Sequence, residues 1–532
     1  RVVNDASDLI DGEGRRLRSQ GMTADALRGR LGTMAGQGYS LVEKLSEVML
    51  ATSEMSDAVW GLQQEVLECE QYARSEGLRI DDFGGVVITA NLDAVGQMPG
   101  GLWRVMDIYS AQEDLTERVA GVLRRADEAD RAYQARLRAI TQGTYRVTEK
   151  GHTGTQGLPD LPGQDWGPVQ VAAWWSALSQ PDKDKLIAER PELIGNLDGI
   201  DMASRSRANK QRLPGLLAAE EARLAELSEL VDQTSGPSGQ AYPKYLSSPH
   251  AAELEIVRQR VKDLRYLNDH VLDDSGRSLV TLDTSSERVK AAVAQGDVDR
   301  AKHVAVFTPG IGSKVNSMES YLTNMDDLRA TAAKVGAIDP DDVATVTWLG
   351  YQAPRGFGED GGFGEYTDTA LAERGAGELS SYLEGIQASR EAGGAGDPHL
   401  TALGHSYGST TTGMAVARVR PGVVDDMILF GSPGAGVDDV WEYNLPKGHA
   451  WVSGVDGGDD VQGIGTPVGF GSNPLRMTGV THLSNDAPGD RGFLGNMFHP
   501  FARHSVYLTP DSGTLKDFGR VVAGIKQPTV LW

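Results

Sequence analysis

The sequence predicts an α/β fold, a mostly parallel sheet covered by helices on both faces, preceded by an elongated all-α domain. Three observations carry this. From about Ser278, short β-branched runs alternate with helical segments, at Leu279–Leu282, Val304–Phe307, Val343–Trp348, Leu400–Leu403, Met427–Phe430 and Ala450–Val455, and such alternation implies parallel strands joined by helical crossovers. Before that point apolar residues recur mainly at helical spacing. Finally, Thr401–Thr410, T-A-L-G-H-S-Y-G-S-T, joins one run to a helix through a sharp turn with a serine at its apex.

Composition narrows the partners. A chain of 532 residues with 40 % hydrophobic content has material for several packed cores. Its net charge of −23 repels phosphate backbones and anionic lipid at long range, so no nucleic-acid partner is expected. The one cysteine, Cys69, excludes an intramolecular disulfide framework, and its place beside Leu67 in a helical pattern suits a packed thiol. No window holds 18 uninterrupted apolar residues, so no transmembrane segment is expected, and Arg1-Val2-Val3-Asn4-Asp5 lacks the apolar core of a cleavable signal. The expected setting is cytoplasmic, or export by a route such as type VII secretion.

Taken in order, residues 1–148 read as a helical bundle. Leu41, Val42, Leu45, Val48 and Met49 form one stripe, Val59, Leu62, Val66 and Leu67 a second, and Leu115, Val119, Val122 and Leu123 a third. Gly84-Gly85 and Pro99-Gly100-Gly101 allow chain reversals between them. With Trp60-Gly61, Tyr72 and Glu76 the region is loosely similar to the helical-hairpin modules of type VII secretion substrates, which carry W-x-G where this chain has Trp and Gly adjacent. That likeness, or a plain oligomerising bundle, implies a helical protein partner through 1–148.

Residues 149–170, rich in Gly, Pro, Thr and Gln, read as a linker, and 171–277 as a helical extension on the domain that follows. The extension contains Trp174-Trp175-Ser176-Ala177-Leu178-Ser179 and Ile194-Gly195-Asn196-Leu197-Asp198-Gly199-Ile200. With the serine turn, these segments resemble a bacterial α/β-hydrolase family catalogued as a domain of unknown function. Two roles are open for the extension: paired tryptophans anchoring it to the core, or substrate contact through Asn196 and Asp198.

The resemblance implies that residues 278–532 form a catalytic α/β-hydrolase domain. In its turn, Gly404 and Gly408 flank Ser406 because a Cβ at either position would strike the neighbouring helix or strand. A serine nucleophile needs a base held by an acid, and this fold supplies them in the order Ser, Asp, His. The glycine-rich loop after the Ala450 run carries Asp456, Asp459 and Asp460; the family's G-D-P-V-like segment implies Asp459, with Asp460 where proline usually stands, so Asp456 and Asp460 remain alternatives. Of His449, His482, His499 and His504, the first precedes its strand. His504, in Arg503-His504-Ser505-Val506-Tyr507, matches the family's G-H-S-x-Y segment with Arg for Gly, which implies the base; His499 and His482 are the alternatives. The amide of Tyr407 and that of Gly310 or Ile311, in a V-P-G-M-like segment, are the expected oxyanion donors.

Two further stretches carry motifs or apolar clusters. Gly356–Gly361 satisfies G-x-G-x-x-G, but Pro354, Glu359 and Asp360 oppose dinucleotide binding. Phe470, Leu475, Met477, Phe493, Leu494, Met497 and Phe498 are either a cap over an acyl chain or an ordinary core insertion.

The expected function is a serine hydrolase cleaving a carboxylic ester of a small molecule or lipid through an acyl-enzyme, with no metal or cofactor. A phospholipase, amidase or thioesterase with the same triad, or an interaction protein with an idle hydrolase fold, are the alternatives.

Overall fold

The computed structural model describes residues 65–81, 84–97, 101–141, 161–163, 166–234, 248–274, 276–356, 369–454, 469–485 and 506–525, with scattered positions between 30 and 63. The chain divides into two compact units, Val2–Asp160 and Leu161–Trp532 apart from Arg1.

In the first unit the helix through 65–76 and the long helix α2 (Gly101–Thr141), after the short α1 (Leu92–Gly96), share a core of Leu115, Val119, Val122 and Ile108. Cys69 is buried in it, and burial pushes its thiol pKa up, away from reactivity. The helical reading missed one feature: Leu78–Ile80 (β1) and Val86–Ile88 (β2) pair antiparallel, with Gly84-Gly85 in the turn. The Val-Val-Ile run after two glycines was the available signal.

The second unit is built on an eight-stranded sheet. Its strands are β3 (Arg277–Asp283), β4 (Lys290–Gln295), β5 (His303–Thr308), β6 (Val343–Leu349), β7 (His399–His405), β8 (Asp426–Phe430), β9 (Ala450–Ser453) and β10 (Thr481–His482). Their order is β10-β9-β8-β7-β5-β6-β4-β3, and the two pairings of β4 are antiparallel while those from β6 to β10 are parallel. One face packs against α9 (Ala370–Gly393) and α10 (Tyr407–Val416), through Trp348, Tyr382, Leu383 and Val416, and α3 (Pro168–Ala177) packs on α9. The other carries α8 (Glu319–Gly336) and α11 (Gly513–Val522), through Phe307, Met325, Phe430 and Phe518. Phe470 and Met477 belong to the first of these cores, so these two side chains are core insertions and not a cap.

The remaining helices solve an edge problem. An unpaired outer strand exposes backbone donors and acceptors, and β3 is one of the two outer strands. Asn196 accepts from Leu282 N at 2.9 Å and donates to Leu282 O at 2.8 Å. On α6 (Met202–Thr234), Ser206 accepts from Leu279 N, while Asn209 and Arg212 donate to the Leu279 and Leu282 carbonyls. Trp175 closes the assembly from α3 by donating to Asp201 at 2.7 Å. Asp198 holds the guanidinium of Arg205, which is 1 % exposed, at 2.8 Å. Asn196 and Trp175 therefore have anchoring roles.

Candidate active site

The strand order reverses beside β5: the chain goes from β5 to β6 on one side, then returns to β7 on the other. Ligands in open parallel sheets bind outside the carboxyl ends at such a reversal. Ser406 follows β7 directly and Pro309-Gly310 follows β5, with Thr308 and Gly404 in register. Sheet register alone thus brings the two loops together.

The turn is strained where the chemistry is expected. Ser406 has φ 56° and ψ −132° as the cap of α10, a backbone state that costs a non-glycine residue about 1–3 kcal/mol. Its N–H donates to Phe430 O at 3.1 Å, and its carbonyl accepts from Ser409 N at 2.9 Å, so neighbouring elements hold it. The flanking glycines are steric necessities. A Cβ on Gly404 would lie 2.5 Å from the Ser409 Cα, and one on Gly408 2.3 Å from the Thr308 carbonyl oxygen. The hydroxyl of Ser409 bridges to Ser432 at 2.7 Å, tying the first turn of α10 to the loop after β8.

Gly310 abuts the serine. A Cβ there would lie 2.6 Å from the Ser406 Cβ and 3.0 Å from its Oγ. Tyr351, buried at the end of β6, donates to Pro309 O at 2.7 Å and steadies this loop. Burial pushes its phenol well above the ordinary range, which keeps it a donor. Sequence reading did not single it out; its position just past a strand end was the only signal. Tyr407 is buried, its ring edge-on to Phe470 and its Oη accepting from Ala372 N at 3.1 Å. Ile311 is half-buried against the same core.

Of the remaining candidates, Asp456, Asp459, Asp460, His499 and His504 lie outside the described residues. His482 stands on β10, three strands from β7, or about 14 Å by strand spacing, too far to bond with Ser406. His449 is at the amino end of the strands, 2.9 Å from Asp426 though off hydrogen-bond alignment.

That end of the sheet holds its own ionisable cluster. Asp426, 4 % exposed, accepts from His399 Nε2 at 2.8 Å and from the Trp451 indole at 2.6 Å, and His303 Nδ1 is 3.4 Å from His399 Nδ1. Burial opposes protonation of His399, but the Asp426 carboxylate more than offsets it, and the pKa lies above its usual 6.5. Burial and then the His399 charge lower that of His303. The signs differ. Folded His399 holds its proton more tightly than the unfolded chain, so its stabilisation fades as pH rises from 6.5 through the raised folded value. Folded His303 holds it less tightly, so stability is lost as pH falls below 6.5 towards the lowered value. The pair is expected to give a maximum near 6.5. In Asp426→Asn the fall above that point should vanish and the fall below it persist, measured by urea midpoints across pH; an unchanged high-pH limb would refute the assignment.

Comparisons with known proteins agree with this geometry. A family model described as Alpha/beta hydrolase matches residues 284–468. An uncharacterized protein of Mycobacterium tuberculosis (strain H37Rv) is 36 % identical over 234 residues, covering 42 % of this chain and 83 % of that protein, and one of Mycobacterium bovis matches to the same extent. A second uncharacterized M. tuberculosis protein is 27 % identical over 397 residues, 73 % of this chain and 57 % of its own length. No helix among the described residues is long and apolar enough to cross a membrane. A strained serine at the strand-order reversal, a family model that matches the chain from β4 to β9 and relatives 36 % identical that are covered over 83 % of their length lead to one assignment: the chain belongs to the alpha/beta hydrolase family.

Proposed function

We propose that the chain is a serine hydrolase that cleaves a carboxylic ester through an acyl-enzyme. The observation that carries this is the contact between Gly310 and Ser406, which leaves no room for a Cβ between the loop and the serine. Ser406 Oγ attacks the carbonyl carbon, and the backbone amides of Tyr407 and of Gly310 or Ile311 receive the oxyanion. His504 takes the serine proton and passes it to the leaving alcohol, Asp459 holds the imidazole in the productive tautomer, and water then releases the acid.

Two observations support these partners. Tyr507, three residues after His504 in sequence, is buried against His405 and Phe430, with ring centroids 6.0 and 5.4 Å away, so the described part of that segment packs directly under the turn. The chain also leaves the carboxyl end of β9, two strands from β7, a few residues before Asp459 in sequence.

A fluorophosphonate reagent should label the wild-type protein at Ser406. Folded protein that stays unlabelled would end the proposal. Asp459→Asn is expected to lower kcat by about 10³ to 10⁴ with little change in KM, through loss of imidazole orientation; a variant within tenfold of wild type, read with p-nitrophenyl esters, would move the acid to Asp456 or Asp460.

A further inference from the structure

A cavity of about 380 Å³ lies on the same rim of the sheet as Ser406, within the size range of small-molecule sites. It opens where β4 meets β6. Lys290 begins β4 and Gly350 follows β6, and the antiparallel register of these strands puts both at the end of the sheet from which the serine emerges. β6 is two strands from β7, about 10 Å by strand spacing, so the cavity is a separate place from the serine turn. Glu378, Ser381 and Tyr382 on one side of α9 form a second wall. The third comes from the Ile194–Ile200 segment, through Asp198, with its partner Arg205 on α6.

One buried polar group in this lining is unspent. Trp348 is 1 % exposed, and its indole N–H has no hydrogen-bond partner among the described residues. A Cβ on Gly350 would lie 2.6 Å from that nitrogen, so glycine at this position leaves the N–H edge of the ring uncovered beside the cavity. A buried donor of this kind is unfavourable until a ligand or a water accepts from it. The charged groups, by contrast, all face opposite charge. Asp198 accepts from Arg205 at 2.8 Å and from the Ser381 hydroxyl at 2.7 Å. Lys290 donates to Glu378 and stands 3.7 Å from Asp283, which Arg212 also faces.

That balance selects the ligand. An anion brought here meets the carboxylates of Asp198, Asp283 and Glu378, and a cation meets Lys290 and Arg205, so neither sign of charge is favoured. A wholly apolar molecule leaves the indole N–H without an acceptor. Hydroxyl groups satisfy every demand, because each donates and accepts: one accepts from Trp348, and others donate to the carboxylate oxygens, in charge-assisted bonds that are stronger than neutral ones. The rings of Trp348 and Tyr382, with centroids 6.3 Å apart, supply an apolar part of the lining for the C–H face of a ligand ring. We propose that this cavity is a binding site for a neutral sugar, held by Trp348, Glu378 and Asp198. It uses no group of the serine turn and stands whether or not Ser406 cleaves an ester.

The test titrates methyl glycosides of glucose, galactose and mannose into the full-length protein, read by saturation-transfer difference NMR. At least one is expected to bind, with a Kd on the order of 1 mM. Trp348→Phe keeps a ring and removes the N–H, and Glu378→Ala removes an acceptor from an exposed position on α9, outside the core, so that one variant remains informative if the other does not fold. Each should weaken binding about tenfold. Binding of none of the three glycosides, or affinities unchanged in the folded variants, would overturn the site. The octyl glycoside of the sugar that binds, kept below its micellar concentration, then separates two sources: affinity equal to that of the methyl glycoside assigns the site to a free sugar, and affinity at least tenfold higher, still dependent on Glu378, to the sugar headgroup of a lipid.

Discussion

Replacing Ser406 by alanine is expected to lower kcat by about 10⁴-fold or more and to leave the fold in place. The catalytic loss follows from the reaction: without Oγ no acyl-enzyme forms, and what remains is oxyanion stabilisation acting on a water that nothing positions. The retained fold follows from the interactions that hold the turn, because they run through its backbone. The N–H of Ser406 bonds to Phe430 and its carbonyl accepts from Ser409, and alanine keeps both. Alanine also bears the same strain at φ 56°, so stability should change by less than about 1 kcal/mol. Circular dichroism and a denaturant titration check the fold, and ester turnover checks the loss. Activity within tenfold of wild type in a folded variant would remove the serine from the mechanism.

The second large effect is expected at a residue with no side chain. Gly310→Ala places a Cβ 2.6 Å from the Ser406 Cβ, 2.9 Å from the His405 carbonyl and 3.0 Å from Oγ. Two of these neighbours are fixed by the turn, so the loop itself must retreat, and a retreat of a few tenths of an ångström withdraws an oxyanion donor from its place. Loss of one such donor costs about 10²- to 10³-fold in kcat, and the overpacking should cost about 1–3 kcal/mol of stability. Gly393→Ala is the control. A Cβ there meets nothing within 4 Å, and the residue ends α9 away from the serine, so turnover should match wild type within twofold. If Gly310→Ala also matches wild type, the loop after β5 contributes no donor.

Much of the architecture could be read along the chain, for reasons that are local. The β-branched runs that became β3, β5, β6, β7, β8 and β9 carry their preference in their own side chains. What escaped was either short or compositionally weak. Lys290–Gln295, K-A-A-V-A-Q, is a strand because it is inserted between β3 and β6, not because alanine favours that state. The two-residue β10 exists through its pairing with β9.

The site divides in the same way. The sequence by itself determined the strained serine turn, because the collisions that require Gly404 and Gly408 are set by a few residues on either side and by the strand that the turn abuts. Only the tertiary structure decided that Gly310 touches Ser406, that Asn196 serves the edge of β3 and that His449 belongs with Asp426 at the far end of the sheet. Each of those pairings joins residues separated by more than twenty positions. Strand order and register set such distances, and they come from the burial of whole faces, which no local run of residues encodes.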